Sequence, residues 1–202
     1  MKGIMRKELY AARADGMLLW LPILVFMGVV STLTRDDNAM APVKMLYVLY
    51  AAMMSVGTIE GDKGNRWLAY SKTMPITPIK YVAARYVFYA LGIIGIGLVS
   101  AGIGAVFTGA KAFYVMLEMT VQWLVIAAFD YPVNFGMGGR YLRIISIIVK
   151  FAVIWLMQVL MYYLGLKFGF SYLALTAVVS VVLYAGSVLV SARLYERGEY
   201  AA

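Results

Sequence analysis

The sequence predicts an all-α membrane protein with six transmembrane helices, an amphipathic helix before the first of them, and a short helix between the second and the third. Two observations support this fold class. Hydrophobic residues make up 63% of the chain and charged residues 14%, whereas a soluble domain is roughly half apolar and about a quarter charged. The apolar residues also form charge-free blocks, of which 86–110 and 168–192 exceed the roughly 20 residues that cross a bilayer. Lipid must therefore be part of the solvent of this chain.

The 202 residues form a single transmembrane domain whose spans are separated by short loops. The second span is short, and the fifth carries Lys150 one or two turns inside its cytoplasmic end. Residues 1–15 form the amphipathic helix, and residues 60–81 connect spans two and three. No loop is long enough to fold as a soluble catalytic domain. We place the spans at residues 17–33, 43–59, 82–108, 112–131, 144–166 and 169–191.

The Lys and Arg residues set the predicted orientation. All but four of the 18 lie on the side of the membrane that holds both termini. Because cations accumulate at the cytoplasmic ends of spans, we expect a multi-pass protein of the cell membrane with both termini in the cytoplasm. This distribution explains the net charge of +8 without a nucleic-acid partner. The N-terminus is too mixed in charge for a cleaved signal peptide, and we expect it to be retained.

The residue types exclude most catalytic sites. The chain has no Cys and no His, which removes thiolate chemistry and the commonest general base and metal ligand. No segment matches a phosphate-binding loop, so any ATP hydrolysis must occur on another polypeptide. Asp130 is the only aspartate near the interior of a span, whereas an intramembrane aspartic protease needs two. We expect no catalytic residue, metal or cofactor in this chain, and no enzyme activity by itself.

The first fifteen residues have the pattern of a helix that lies on the membrane. Apolar side chains share one arc of the helix and basic side chains lie on the other side, as in interfacial helices on anionic lipid. Glu8 falls inside the apolar arc, so we expect it to face protein rather than acyl chains. Alternatively, the basic N-terminus only sets the topology. The apolar arc contains Met1, Ile4, Met5, Leu9 and Ala12, and the basic side contains Lys2, Arg6, Lys7 and Arg13.

The connection between spans two and three contains the signals for a short helix. Gly61 and Gly64 are predicted to end the second span, and residues 65–73 then form about two turns of helix. That helix stops before Pro75, because the residue that precedes a proline avoids the helical region. A second segment begins at Thr77-Pro78, with the threonine as N-cap and the proline at the first helical position.

The short helix carries an apolar ridge flanked by two cations. A cytoplasmic ridge of this kind is costly to expose and usually docks against a partner, and Trp, Tyr and Arg are the residue types that anchor interfaces. Alternatively, the aromatic rings only lie at the level of the lipid headgroups. The ridge consists of Trp67, Leu68 and Tyr70, and the flanking cations are Arg66 and Lys72.

Small residues recur along the third span. They allow helix backbones to approach closely in lipid, so we expect tight packing of this helix, either within the chain or against a second copy. One stripe is Gly97, Ala101 and Ala105, and a second set recurs every seven residues at Gly95, Gly102 and Gly109.

Three polar residues are candidates for a substrate path. Glu118 and Gln122 lie four residues apart in the fourth span and therefore share one face, and ionisable groups within spans usually face a cavity or a partner. Glu118 is also close enough to the outer end of its span to reach the headgroups. Gln158 lies deep in the fifth span, where a hydrogen bond between helices is the alternative role.

Taken together, the predicted cytoplasmic segments resemble those of small bacterial type-2 ABC exporter permeases. The likeness runs the full length of the chain, in six spans and four cytoplasmic segments, although the glycine pair Gly138-Gly139 departs from the family pattern. The matching residues are the opening Met1–Tyr10, then Trp67, Tyr70, Thr73-Met74-Pro75-Ile76, Lys80 and Arg85, then Tyr131-Pro132, Phe135-Gly136 and Arg140, and finally Ser191 and Arg193-Leu194-Tyr195-Glu196-Arg197.

The resemblance implies a permease subunit that pairs with a second copy or a paralogue and with cytoplasmic ATP-binding subunits, which would bind the ATP and Mg²⁺. Residues 65–73 would be the coupling helix and residues 1–15 the interface helix beside it. The contact with the ATP-binding subunit would involve Arg66, Trp67, Leu68, Tyr70, Lys72 and Glu8. The same resemblance suggests export of amphipathic peptides or similar hydrophobic cargo.

The alternative is a membrane protein that works alone, either as a secondary carrier or as a sensor or immunity protein. Carriers often show two repeated halves with interrupted helices and inward-facing ionisable groups. Residues 1–108 and 109–202 share no clear repeat. Copurification of an ATP-binding protein with the tagged chain would discriminate between the two.

Overall fold

The computed structural model describes residues 2–14, 21–33, 41–136, 147–148, 150–157, 159–160, 163 and 171–197. These residues are almost entirely helical and include no β-strand. The all-α prediction is therefore confirmed over this part of the chain. The helices are α1 (Lys2–Ala14), α2 (Leu21–Leu33), α3 (Ala41–Gly64), α4 (Trp67–Ser71), α5 (Pro78–Thr108), α6 (Lys111–Gly136), α7 (residues 150–157) and α8 (Ser171–Arg197).

Four of these helices are long and apolar enough to cross a membrane: α3, α5, α6 and α8. They correspond to predicted spans two, three, four and six, so the chain is a multi-pass membrane protein. Helix α2 is apolar but shorter, and parts of predicted spans one and five lie outside the described residues. The total of six spans stays a prediction.

Several helices extend beyond their predicted ends. Helix α3 continues to Gly64 instead of stopping at residue 59, and α6 continues through Pro132 to Gly136 instead of ending at residue 131. Glycine within a helix costs only about 1 kcal/mol, which tertiary packing can outweigh. Of the two glycines predicted to end this helix, Gly61 does not and Gly64 does, so Asp62 and Lys63 belong to helix α3.

Helix α6 lies at the centre of the bundle. It packs against α3, α5 and α8, and all its side chains from Val121 to Ala128 are buried. By contrast, α5 and α8 each expose a long row of large apolar side chains, as expected for helices whose outer faces contact lipid.

Helices α2 and α5 pack closely where each of them has a glycine. A side-chain carbon added at Gly28 would lie 2.7 Å from the Cβ of Ser100, and one added at Gly104 would lie 3.0 Å from the Cβ of Thr32. The first distance is shorter than real contacts and the second is tighter than most, so a larger residue at either position would force its neighbour to move. In the predicted small-residue stripe, Gly97 and Ala101 are buried within the chain, which favours intramolecular packing for that stripe.

Candidate functional site

A turn with a single residue in the left-handed conformation separates helix α4 from α3. Arg66 is the only non-glycine residue with a positive φ, 56°, among those described. This left-handed residue interrupts the helical backbone after α3, and α4 begins directly after it. In α4 the Tyr70 N–H donates to the carbonyl oxygen of Arg66 at 3.1 Å. After α4, Thr77 is the extended N-cap and Pro78 the first residue of α5, as the sequence predicts.

The predicted ridge is divided between the two sides of α4. Arg66 and Tyr70 point outward, and Tyr70 is 57% exposed. Lys72 is also exposed, but its amine turns toward α8. Trp67 is partly buried, with its ring centroid 5.4 Å from that of Tyr70. Leu68 has no exposed surface and packs α4 onto the rest of the chain; its contact with a partner stays a prediction.

The inner side of α4 contacts the C-terminal end of α8. The hydroxyls of Ser71 and Tyr195 are 2.6 Å apart and buried. Lys72 Nζ donates to the carbonyl oxygen of Glu196 at 3.2 Å. The Tyr195 ring stacks on the ring of Tyr81 in α5, with centroids 4.9 Å apart. The end of the last helix is therefore part of the platform that holds α4.

A buried arginine lies beneath the same region. Arg85 of α5 is fully buried, with its Nε 3.0 Å from Glu8 Oε1 in α1 and its Nη2 2.9 Å from Asp62 Oδ2 in α3. The same Nη2 also donates to Thr58 Oγ1 at 3.2 Å. Burying an arginine is costly unless its charge is paired. The two carboxylates balance that charge from two different helices, whereas Arg85 Nη1 has no hydrogen-bond partner among the described residues.

Lys7 completes a group of four charges. Its Nζ lies 2.5 Å from Asp62 Oδ2 and 3.2 Å from Glu8 Oε1, and it also lies 5.2 Å from the centre of the Trp67 ring. Lys7, Glu8, Asp62 and Arg85, here called the charge quartet, carry two positive and two negative charges. The quartet joins α1, α3 and α5, and through Trp67 it contacts α4.

Glu8 stays ionised in this setting. Its burial favours the neutral acid, but the neighbouring Arg85 and Lys7 charges outweigh that effect and hold the pKa of the Glu8 carboxyl below its usual value. The expectation that Glu8 faces protein is confirmed. Glu8 has no exposed surface within this chain, where it holds α1 in place; its contact with a partner stays a prediction.

The candidate substrate-path residues Glu118 and Gln122 do share one face. Gln122 Nε2 donates to Glu118 Oε1 at 3.3 Å, and Glu118 Oε2 lies 3.7 Å from Lys44 Nζ in α3. The charge of Glu118 is thus matched within the chain, between α3 and α6. Gln158 lies outside the described residues.

Sequence reasoning missed the charge quartet and a second buried ion pair. Lys150 of α7 lies 3.1 Å from Asp130 of α6, and both are buried. Asn134 Nδ2 also donates to Asp130 Oδ1 at 3.1 Å. The sequence did contain a signal for this second pair, because each of two predicted spans carries a single charge near its interior. Charged residues within spans usually pair with one another.

Comparisons with known proteins identify the family. A family model described as "ABC-2 family transporter protein" matches residues 3–196, which is nearly the whole chain and includes α1, α4 and the end of α8. No curated protein matches significantly, and no solved structure does. The chain therefore belongs to the ABC-2 family of transporter proteins, a class of membrane permeases that generally work with an ATP-binding partner.

Proposed function

We propose that this chain is the membrane subunit of an ATP-driven exporter and that α4 is the coupling helix that docks on a separate ATP-binding subunit. One observation carries the proposal: α4 and its N-cap expose Tyr70 and Arg66, while Ser71 and Lys72 fix the segment to α8. A helix held in this way presents a fixed surface that includes Tyr and Arg, two of the residue types that dominate interfaces.

The orientation follows from the distribution of cations. The face of α4, the basic residues of α1 and the end of α8 all lie on the side that the sequence assigns to the cytoplasm. ATP and Mg²⁺ would be bound entirely by the partner, because this chain has no phosphate-binding loop. A second copy of the chain, or a paralogue, would complete the path across the membrane.

The proposed mechanism transmits movement through α4. Closure of the ATP-binding subunits on ATP pushes α4, and the helices fixed to it tilt so that a path opens between two permease subunits. A ligand shifts such an equilibrium only through its different affinity for the two states, so the docked helix must be the physical link from ATP to the spans. The leading cargo is an amphipathic peptide or a similarly hydrophobic molecule, in line with the family resemblance.

Copurification tests the proposal. An affinity-tagged chain should bring an ATP-binding protein with it from the membrane. Tyr70→Ala combined with Arg66→Glu should reduce that yield, because both side chains are exposed on α4 and contribute little to the fold. Tyr10→Ala is a matched control, since Tyr10 is an exposed tyrosine on α1.

Two outcomes of this experiment would contradict the proposal. If no ATP-binding protein copurifies and the purified chain alone moves cargo in vesicles, the protein is a stand-alone carrier. If the partner copurifies equally well with wild type and with the double variant, α4 is not the docking surface.

A further inference from the structure

Helix α4 also contacts a helix that is not its neighbour in the sequence. Covalently, α4 is continuous only with α3 and α5. The structure ties it in addition to α8, which begins about a hundred residues later, through the pair formed by Ser71 and Tyr195. Both side chains are buried, so this pair excludes water and is specific in geometry.

The direction of this hydrogen bond is fixed by its neighbours. Ser71 Oγ carries one proton and lies 2.8 Å from the carbonyl oxygen of Leu68, which can only accept. Ser71 therefore donates to Leu68 and accepts the proton of the Tyr195 hydroxyl. The Tyr195 hydroxyl is thus aimed at α4, and removing it leaves the helix bond of Ser71 intact.

The ring of Tyr195 is also fixed by contacts with neighbouring helices. It stacks on Tyr81 in the first turn of α5 and meets the edge of Phe135 near the end of α6, with a centroid distance of 6.1 Å. Lys72 Nζ lies 5.8 Å from the ring centre and bonds the next carbonyl of α8, that of Glu196. The contact between α4 and α8 consequently has two hydrogen bonds around one rigid ring.

We infer that Tyr195 is a positioning residue that transmits the movement of α4 directly to α8, so that the last helix responds to the partner's nucleotide state. This inference rests on the proposed function, because it needs a partner that pushes α4. Without the Tyr195 contact, a push on α4 would reach α8 only through the bond from exposed Lys72 to Glu196 and indirectly through α5 and α6.

A fluorescent label on α8 can report this movement. The chain has no Cys, so Arg193→Cys places one label at an exposed position two residues before Tyr195. Fluorescence is compared with and without ATP in the complex of the tagged chain with its copurified ATP-binding subunit. Loss of one neutral hydrogen bond changes an equilibrium constant by roughly twofold to tenfold, so we expect Tyr195→Phe to reduce the ATP-dependent signal clearly below that of wild type.

Three further variants separate transmission from general loss of structure. Ser71→Ala should reduce the signal as Tyr195→Phe does, and the double variant should be no worse than either alone, because both remove the same bond. Ser71→Thr, which keeps the hydroxyl, should restore the signal. Tyr86→Phe is the matched control: its hydroxyl lies 2.7 Å from Ser191 Oγ and also joins α5 to α8, but it does not contact α4.

The outcomes distinguish this inference from the proposed function. Copurification of the ATP-binding subunit should be the same for wild type and all these variants. Failure of the wild type to bind the subunit would overturn the proposed function. Normal binding with an ATP response on α8 that is absent in wild type, or that is equal in wild type and Tyr195→Phe, would overturn the role of Tyr195 and leave the proposed function standing.

Discussion

At the scale of single residues, Arg85 has the most demanding surroundings in the described part of the chain. Its guanidinium is fully buried and depends on Glu8 and Asp62 for charge balance. Replacement by glutamine would leave two buried carboxylates with only Lys7 to balance them. Removing one member of a buried ion pair typically costs about 3–5 kcal/mol, so the Arg85→Gln variant should unfold at a clearly lower temperature in detergent.

The control for this variant is Arg193→Gln, because Arg193 is an exposed arginine on α8. Its melting temperature should stay close to that of wild type, since exposed charges contribute little to stability. Equal melting temperatures for the two variants would show that the charge quartet does not hold the fold together.

The lowered pKa of Glu8 makes stability depend on pH in a defined direction. Below the ordinary value of 4.5, the unfolded chain takes up a proton at Glu8 before the folded chain does, so acid favours unfolding. The contribution of Glu8 is complete above that value and is lost as the pH falls through the lower pKa of the folded protein. The stability difference between wild type and Glu8→Gln should therefore be constant at higher pH and shrink below 4.5.

Thermal unfolding in detergent at a series of pH values checks this prediction. Glu196→Gln, which removes an exposed carboxylate from α8, should stay close to wild type throughout. A Glu8→Gln variant whose stability difference from wild type does not change in acid would contradict the assigned ionisation of Glu8.

At the scale of helices, the close contact between α2 and α5 depends on glycine, which has no side chain. Gly104→Ala should separate the two helices, because the new methyl carbon would overlap Thr32. Overpacking of this kind typically costs about 1–3 kcal/mol. Gly102→Ala is the matched control on the same helix, since nothing lies within 4 Å of that position.

Thermal unfolding of the two glycine variants gives opposite expected results. Gly104→Ala should lower the melting temperature, and Gly102→Ala should leave it unchanged or raise it slightly, because alanine favours helix over glycine. A Gly104→Ala variant as stable as Gly102→Ala would mean that α2 and α5 are not in close contact.

Local signals in the sequence predicted the helices better than their contacts. The start of α5 at Thr77-Pro78 was predictable because N-cap and proline preferences act over a few residues. The end of α3 was predictable only as one of two glycines, and the helix passes Gly61 and stops at Gly64. The partners of Arg85 were not predictable: Glu8 lies 77 residues earlier in the chain, and nothing in a single sequence pairs the two.

The candidate site was predicted in part for the same reason. A short helix with Trp67 and Tyr70 follows from residue types and a nearby proline, but which side of that helix faces outward depends on the surface beneath it. Leu68 and Glu8 were assigned to the partner and lie inside the chain. Tyr195 was noted only for its resemblance to relatives, because its contact with Ser71 spans 124 residues.

At the scale of the whole molecule, the described helices form one connected frame around α4. The charge quartet fixes α1 to α3 and α5, the ring of Tyr195 joins α4, α5 and α8, and α6 packs against α3, α5 and α8. A force applied to α4 therefore reaches several spans at once. Such a frame suits a protein whose energy source is a separate subunit.

The central claim is that α4 is the surface that binds an ATP-binding subunit. Cross-linking is the most direct test of this claim. In the cysteine-free chain, Tyr70→Cys places one thiol on the outer face of α4, and Phe113→Cys places one at an exposed position near the opposite end of the spans. With a short thiol-to-amine reagent, the account predicts a cross-link to the copurified ATP-binding protein for Tyr70→Cys and none for Phe113→Cys. A cross-link for Phe113→Cys but not for Tyr70→Cys would contradict it.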